Sequence, residues 1–163
     1  MKVKSLLLTA LFTLTLSSFV PTGESRLELG RKAPEILLVD EFNEPSQLEF
    51  KEKHTILNFW SASDPLSRMR NRNLNNFVSE NGSLYDFISI CIDKDPLIQN
   101  EIMRTDGIKD AGTYISSSQL YKDILKDYQT GKGLRCFLID QNGILQAAST
   151  SIEDLHLPQT LLN

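Results

Sequence analysis

The feature that most constrains the fold is a strand, a short turn and a helix start within residues 55–68. Residues 56–60 form an apolar run interrupted only by Asn58, a pattern typical of a strand buried on both faces of a parallel sheet. After the turn comes Asp64, a favoured N-cap, and then Pro65, whose missing N–H is tolerated at the first helical position. A buried strand that leads directly into a helix predicts an α/β fold.

Further strand and helix signals follow along the chain. Asp95-Pro96 repeats the cap-and-proline start, and the turn Gln141-Asn142-Gly143 between two apolar runs predicts a hairpin. The predicted strands are 36–39, 48–50, 56–60, 87–92, 136–140 and 144–148. The predicted helices begin at Asp64, Asp95 and Ser116 and end at Gly82, Gly107 and Gly131, and residues 151–163 form a short helix at most.

Apolar residues at helical spacing predict which faces of the first two helices are buried. Arg70 lies within the buried face of the first helix, so its charged end must reach solvent or find a partner. The residues expected to be buried are Leu66, Met69, Leu74, Phe77 and Val78 in the first helix and Leu97, Ile98, Ile102 and Met103 in the second.

Residues 58–68, Asn-Phe-Trp-Ser-Ala-Ser-Asp-Pro-Leu-Ser-Arg, resemble the active-site strand and helix of thioredoxin-fold proteins. The similar pattern in the extracytoplasmic TlpA/ResA type, which is AhpC/TSA redoxin-like, is L-N-F-W-A-x-W-C-P-P-C-R. Residues 30–34 resemble its G-x-x-A-P entry and residues 137–143 its F-L-I-D-x-x-G hairpin. The resemblance implies a thioredoxin-like fold over residues 24–163. In this fold a parallel βαβ half and an antiparallel ββα half form a central mixed β-sheet flanked by helices.

The same resemblance shows that the redox site is altered. The family's two cysteines correspond to Asp64 and Ser67, and neither a carboxylate nor a hydroxyl can form a disulfide. The family's cis-proline corresponds to Leu134, which we expect to be trans because a cis bond costs a non-proline residue about 2.5–4 kcal/mol. No catalytic residue is therefore assigned. The degenerate active-site positions are Trp60, Asp64, Pro65, Ser67, Arg70 and Leu134.

Asp64 and Arg70 permit two interpretations. Asp64 is either only a helix cap, favoured by the helix dipole, or one half of a charge-inverted site with Arg70, which replaces a glutamate common in the family. Trp60 either lines the substrate face, as in the family, or belongs to the core. The arginines Arg68, Arg70, Arg72 and Arg104 form either a solvated helix side or an anion-binding patch.

The two cysteines, Cys91 and Cys136, lie within apolar strand patterns. In the implied fold their strands flank the strand that ends at Trp60, so two strand spacings separate them by roughly 9–10 Å. That distance exceeds the Cα separation of a disulfide, about 7 Å at most. We therefore expect both thiols to be buried and unpaired.

Hydrolase and metal chemistry find little support in the sequence. Serines surround Asp64, but a serine nucleophile needs an oriented base, and the two histidines, His54 and His156, lie at a strand entrance and in the tail. We expect no metal site and no cofactor. The net charge of −4 and the absence of a basic stripe also argue against binding to nucleic acid.

Residues 1–23 have the pattern of a secretory signal peptide. Two lysines precede an apolar run that is too short for an ordinary membrane span. We expect the protein to be exported, to a periplasmic or other extracytoplasmic location, and to be held at a membrane only if this segment stays uncleaved.

The sequence favours one function and leaves others open. The first is a redox-inactive binding or structural module that contacts a protein partner through the groove around Trp60, Asp64 and Leu134. The alternative is a thiol-disulfide oxidoreductase or peroxiredoxin-like enzyme of the TlpA/AhpC-TSA type, in which only Cys91 or Cys136 could supply the thiol. A third is a small-molecule or anion binder that uses the arginines. Whether the chain is an enzyme is open, and the missing cysteines favour the view that it is not.

Overall fold

The structure is a computed structural model that describes residues 27–39, 45–93, 95–108, 112–113, 119–155 and 157. Four features of the sequence analysis lie outside these residues. They are the predicted signal peptide, the helix start at Ser116, the residue His156 and the end of the tail. No helix in the described ranges is both long enough and apolar enough to cross a membrane.

The strands and helices follow one another in the predicted order, with one additional short strand. The strands are β1 Leu37–Val39, β2 Pro45–Gln47, β3 His54–Trp60, β4 Tyr85–Cys91, β5 Gly112–Thr113, β6 Cys136–Ile139 and β7 Leu145–Ser149. The helices are α1 Pro65–Asn81, α2 Pro96–Asp106 and α3 Gln119–Asp127, and 3₁₀ turns occur at Thr130–Lys132 and Glu153–Leu155.

Five strands form the central sheet in the order β5-β4-β3-β6-β7. The pairs β3/β4 and β4/β5 are parallel, whereas β3/β6 and β6/β7 are antiparallel. β1 and β2 form a separate antiparallel hairpin. The predicted mixed sheet, with a parallel half and an antiparallel half, is therefore confirmed.

The two faces of the sheet carry different cores. One face packs against α3, where Tyr128 contacts the rings of Phe59 and Phe137 and donates a hydrogen bond to the Pro34 carbonyl at 2.8 Å. The other face packs against α1, and its apolar cluster includes Ile56 and Leu74. β3 lies at the centre of the sheet, and its residues from Thr55 to Trp60 are buried.

The predicted buried faces of the first two helices are wrong at four positions. Leu66 and Met69 are 71% and 50% exposed, and Leu97 and Ile98 are 76% and 48% exposed. α1 instead turns a more polar stripe toward the sheet, at a helical spacing that the sequence also permits. The buried residues of α1 are Ser67, Arg70, Asn71, Leu74 and Asn75, and in α2 Gln99 is fully buried.

Smaller differences concern element ends. The return strand is β2 at Pro45–Gln47 and not 48–50, although the Leu48 N–H still bonds the Ile36 carbonyl at 2.9 Å. β5 was not predicted because two residues carry no periodic pattern. The third helix ends at Asp127, and a 3₁₀ turn continues to Lys132.

Candidate functional site

Asp64 is the N-cap of α1, as predicted. Its backbone is extended, with φ −108° and ψ 100°, and its carboxylate accepts hydrogen bonds from the N–H groups of Leu66 at 3.1 Å and Ser67 at 3.4 Å. Pro65 begins the helix and is exposed. The first N–H groups of a helix have no partner within it. Asp64 suits this position because it accepts two of them, and Pro65 suits it because proline has no N–H.

Ser67 occupies the second cysteine position of the family pattern and is 1% exposed. Its hydroxyl donates to the Asp64 carbonyl at 3.0 Å and accepts from the Ser61 N–H at 3.1 Å. The hydroxyl therefore joins the turn before α1 to the first turn of the helix.

Asp93, which the sequence analysis missed, holds the same turn from the other side. Its carboxylate accepts from the Ala62 N–H at 2.5 Å, from the Ser61 hydroxyl at 3.1 Å and from the Cys91 thiol at 3.3 Å. The sequence could have predicted this contact. Parallel strands β3 and β4 end at the same edge of the sheet, so Asp93, which follows β4, lies near the turn that follows β3. The carboxylate thereby connects the two strand ends.

Arg70 is 6% exposed and lies beneath the helix start. It donates hydrogen bonds to the Asn58 side-chain oxygen at 2.8 Å, the Thr150 carbonyl at 2.9 Å and the Phe59 carbonyl at 3.0 Å. Burial lowers its pKa, whereas the nearby Cys136 and Asp64 favour the charged form. Within the described ranges Arg70 forms no ion pair with Asp64, so the charge-inverted pair is not a direct contact.

Three further polar side chains are buried between α1 and the sheet. The Asn71 side-chain oxygen accepts from the Asn58 amide at 2.9 Å and from the Ser89 hydroxyl at 2.8 Å. The Asn71 amide nitrogen has no partner in the part of the chain that the structure describes. Only Asn58 could be noticed in the sequence, as the polar interruption of β3, because the other two residues meet it only through tertiary contacts.

A groove of about 420 Å³ opens over the start of α1. It brings together Asp64, Ser67, Arg70 and Leu134, four of the six predicted site positions. Leu134 has a trans peptide bond, as predicted. The remaining lining residues are Leu66, Met69, Asn73, Thr150, Ser151, Ile152 and Glu153.

Trp60 belongs to the core, which was one of its two interpretations, and the prediction that the groove surrounds it is wrong. Trp60 is 0% exposed and does not line the groove. It occupies the last position of the central strand, where residues on both faces are covered by other elements. Pro65 lines a smaller neighbouring concavity with Arg68 and Asp106 and not the groove itself.

Both cysteines are buried and unpaired, as predicted. They lie on the strands that flank β3, with Cys91 beside Trp60 and Cys136 beside Asn58. Burial raises the pKa of Cys91 to about 12. Burial likewise raises the pKa of Cys136 to about 11, against the opposing effect of Arg70. Neither thiol lines the groove.

Three of the four arginines that could form an anion-binding patch are paired or buried. Arg68 makes a two-pronged ion pair with Asp106 of α2 at 2.7 and 3.2 Å. Arg104 pairs with Glu101, and Arg70 is buried. The described residues also contain no group of three His, Cys, Asp or Glu side chains that could hold a metal ion.

The arrangement of the sheet and the helix start define a thioredoxin-like fold. Solved structures with this fold resemble the chain closely enough to confirm it, although no protein-family model and no curated protein matches the sequence. The resemblance to thioredoxin-fold proteins predicted from the sequence is thus confirmed.

Three solved structures illustrate the resemblance. The thioredoxin domain of a thiol-disulfide oxidoreductase from Bacteroides vulgatus is 21% identical, with a TM-score of 0.68 over 79% of this chain and 93% of that one. A thioredoxin-like protein from Parabacteroides distasonis is 28% identical, with a TM-score of 0.57 over 78% and 96%. A peroxiredoxin-like protein from Aquifex aeolicus is 16% identical, with a TM-score of 0.59 over 76% of each chain.

Proposed function

We propose that this chain is an exported, redox-inactive thioredoxin-fold protein that works by binding a protein partner. The observation that carries the proposal is the bonding at the two positions that resemble the family's cysteines. The Asp64 carboxylate caps α1, and the Ser67 hydroxyl joins the helix to the preceding turn. Both side chains have structural tasks, and neither can carry out thiol exchange.

The two thiols of the chain support the same proposal. Thiol exchange requires an accessible thiolate. Cys91 and Cys136 are each no more than 2% exposed, and burial raises the pKa of each well above neutral pH. At neutral pH both groups are therefore thiols beneath the surface.

The groove supports a binding role. It is open to solvent at the helix start, and two large apolar side chains, Leu66 and Met69, line it while remaining mostly exposed. Exposed apolar surface beside a concavity is typical of a protein contact site. The resemblance of residues 58–68 to the family's active-site strand and helix also supports the groove as the binding site.

Export is proposed from the pattern of residues 1–23 alone. Expression of the full chain followed by cell fractionation and N-terminal sequencing tests it. We expect the protein outside the cytoplasm with its N-terminus beyond the apolar run. A cytoplasmic protein that retains its first residues would contradict export without affecting the binding proposal.

The experiment that tests redox inactivity compares four proteins in an insulin-reduction assay and a peroxide-consumption assay. These are the wild type, Cys91→Ser, Cys136→Ser and the double variant Asp64→Cys/Ser67→Cys. We expect the wild type to match the buffer control in both assays. The alternative, a thiol-disulfide oxidoreductase or peroxiredoxin-like enzyme, is suggested by the names of the similar structures. Wild-type turnover that Cys91→Ser or Cys136→Ser abolishes would establish it.

Thiol accessibility provides a second readout of the same proposal. We expect a thiol reagent to modify neither cysteine of the folded protein at neutral pH within the time that modifies both in denaturant. The Asp64→Cys/Ser67→Cys variant is the positive control, because its two added thiols lie at the helix start.

A further inference from the structure

The groove combines apolar walls with two carboxylates. Leu66 and Met69 lie on the α1 side, and the partly buried Leu134 and Ile152 also line it. Such walls suit the methylene stem of a lysine or arginine side chain, which is apolar up to its charged end. The shape and lining therefore admit a long side chain that is itself part apolar and part charged.

The charges of the groove favour a cation. Asp64 and Glu153 line it, and among the residues the structure describes neither forms an ion pair. Arg70 is the cation in the lining, and it donates hydrogen bonds to three oxygens of the fold itself. Two carboxylates and one guanidinium leave the groove with a negative sum, and the whole chain also has a net charge of −4.

We infer that the partner presents a lysine or arginine side chain between apolar residues, with the cationic end between Asp64 and Glu153. This inference rests on the proposed function, because it takes the groove to be the binding site. Complementary charge at the rim of an interface selects among partners and speeds their encounter. An acidic segment would meet both carboxylates and is disfavoured.

The test uses three capped pentapeptides that differ only at the central residue. The central residue is lysine, its uncharged isostere norleucine, or glutamate, with leucine on each side and serine at each end. Each peptide is titrated into the isotopically labelled protein while the backbone amide signals of Leu66, Ser67, Ser151 and Ile152 are followed. These four residues line the groove.

We expect the lysine peptide to shift these signals with a Kd about fivefold below that of the norleucine peptide, with the glutamate peptide weakest. The preference should shrink as salt is added, because exposed charges are screened. Equal affinity of the lysine and norleucine peptides would overturn the inference and leave the groove as a binding site. Failure of all three peptides to shift the groove signals would also overturn the inference. The insulin assay tests redox inactivity separately, so the two results are distinguishable.

The matched variants remove charge without removing hydrogen-bond acceptors. Asp64→Asn keeps a side-chain oxygen for the cap, and Glu153→Gln keeps an acceptor for the Ser151 hydroxyl. We expect the double variant to bring the lysine and norleucine peptides within about twofold of each other. The control Glu35→Gln/Glu80→Gln removes two exposed carboxylates outside the groove and should keep the preference. A preference that survives in the groove variant would contradict the assignment of these carboxylates.

Discussion

Asp64 and Arg70 both lie at the start of α1, yet they bond to different parts of the molecule. The Asp64 carboxylate accepts from two N–H groups of its own helix start, and Arg70 bonds to β3 and to the segment after β7. The two residues are near enough for Asp64 to favour the charged form of Arg70. Their contributions to stability should nevertheless be separable.

Replacement of Asp64 tests the cap. Asp64→Ala should lower the free energy of unfolding by about 0.5–2 kcal/mol, because two N–H groups of α1 lose their acceptor. Asp64→Asn should cost much less, since asparagine is an equally good N-cap. Urea denaturation followed by circular dichroism measures both. Equal losses in the two variants would show that charge, and not capping, is what Asp64 supplies.

Replacement of Arg70 tests the buried bonds. Arg70→Met should destabilise the protein by about 2–4 kcal/mol, because three oxygens beneath α1 lose their donor. Arg70→Lys should recover only part of this loss, because one ammonium group cannot reproduce the guanidinium fork. The exposed neighbour Arg72→Met is the control and should stay within about 0.5 kcal/mol of wild type.

A double-mutant cycle joins these two residues. Asp64→Ala and Arg70→Ala should add to within about 0.5 kcal/mol, because the two side chains share no hydrogen bond. Strong non-additivity in the urea midpoint series would revive the charge-inverted pair as an energetic unit.

At the scale of elements, the sequence predicted helix starts better than helix faces. Asp64-Pro65 and Asp95-Pro96 are local signals, and both helices begin there. The buried face of α1 depends on how the helix crosses the sheet, which no local pattern records. The sheet presents Asn58 and Ser89 to α1, so the stripe with Arg70 and Asn71 is buried while Leu66 is exposed.

The same reasoning explains which site residues could be predicted. The helix-start residues follow from the strand-turn-helix pattern. Asp93 and Thr150 join the site from other elements, and their contacts appear only after the chain has folded. The location of Trp60 stayed open, because its position in the resembled pattern does not determine whether its ring faces the groove or the core.

Replacement of Asn71 tests the polar contact between α1 and the sheet. Asn71→Leu should destabilise the protein by about 1–3 kcal/mol, because the Asn58 amide and the Ser89 hydroxyl lose their common acceptor. Asn76→Leu, an exposed change on the same helix, is the control. Thermal unfolding of both variants measures the difference. An Asn71→Leu protein as stable as the control would show that apolar packing replaces these bonds without loss.

At the scale of the whole molecule, the burial of the two thiols should make the free energy of unfolding fall at alkaline pH. Burial raises the pKa of Cys91 in the folded protein to about 12, whereas the pKa of a free thiol is about 8.5. The stability gained from the neutral thiol is therefore fully present below the unfolded pKa and is lost as pH rises through the folded one. The window for Cys91 extends from about pH 8.5 to about pH 12.

The measurement is the free energy of unfolding across this window. Cys91→Ala should flatten the alkaline decline by up to about 1.4 kcal/mol per pH unit relative to wild type. Cys136→Ala should act in the same direction, because burial also raises the pKa of Cys136. The tyrosines are common to all variants and cancel in the comparison. An unchanged slope in both variants would place the thiols in contact with water.

The burial of Trp60 also determines what the intrinsic fluorescence of the protein reports. Trp60 is the only tryptophan of the chain, and it is 0% exposed and absent from the groove lining. In the folded protein its indole emission should lie toward the blue and resist quenching by iodide, and unfolding should shift it to the red. Because Trp60 does not line the groove, a ligand there should not contact the indole. A single natural fluorophore therefore reports loss of structure while remaining insensitive to occupancy of the groove.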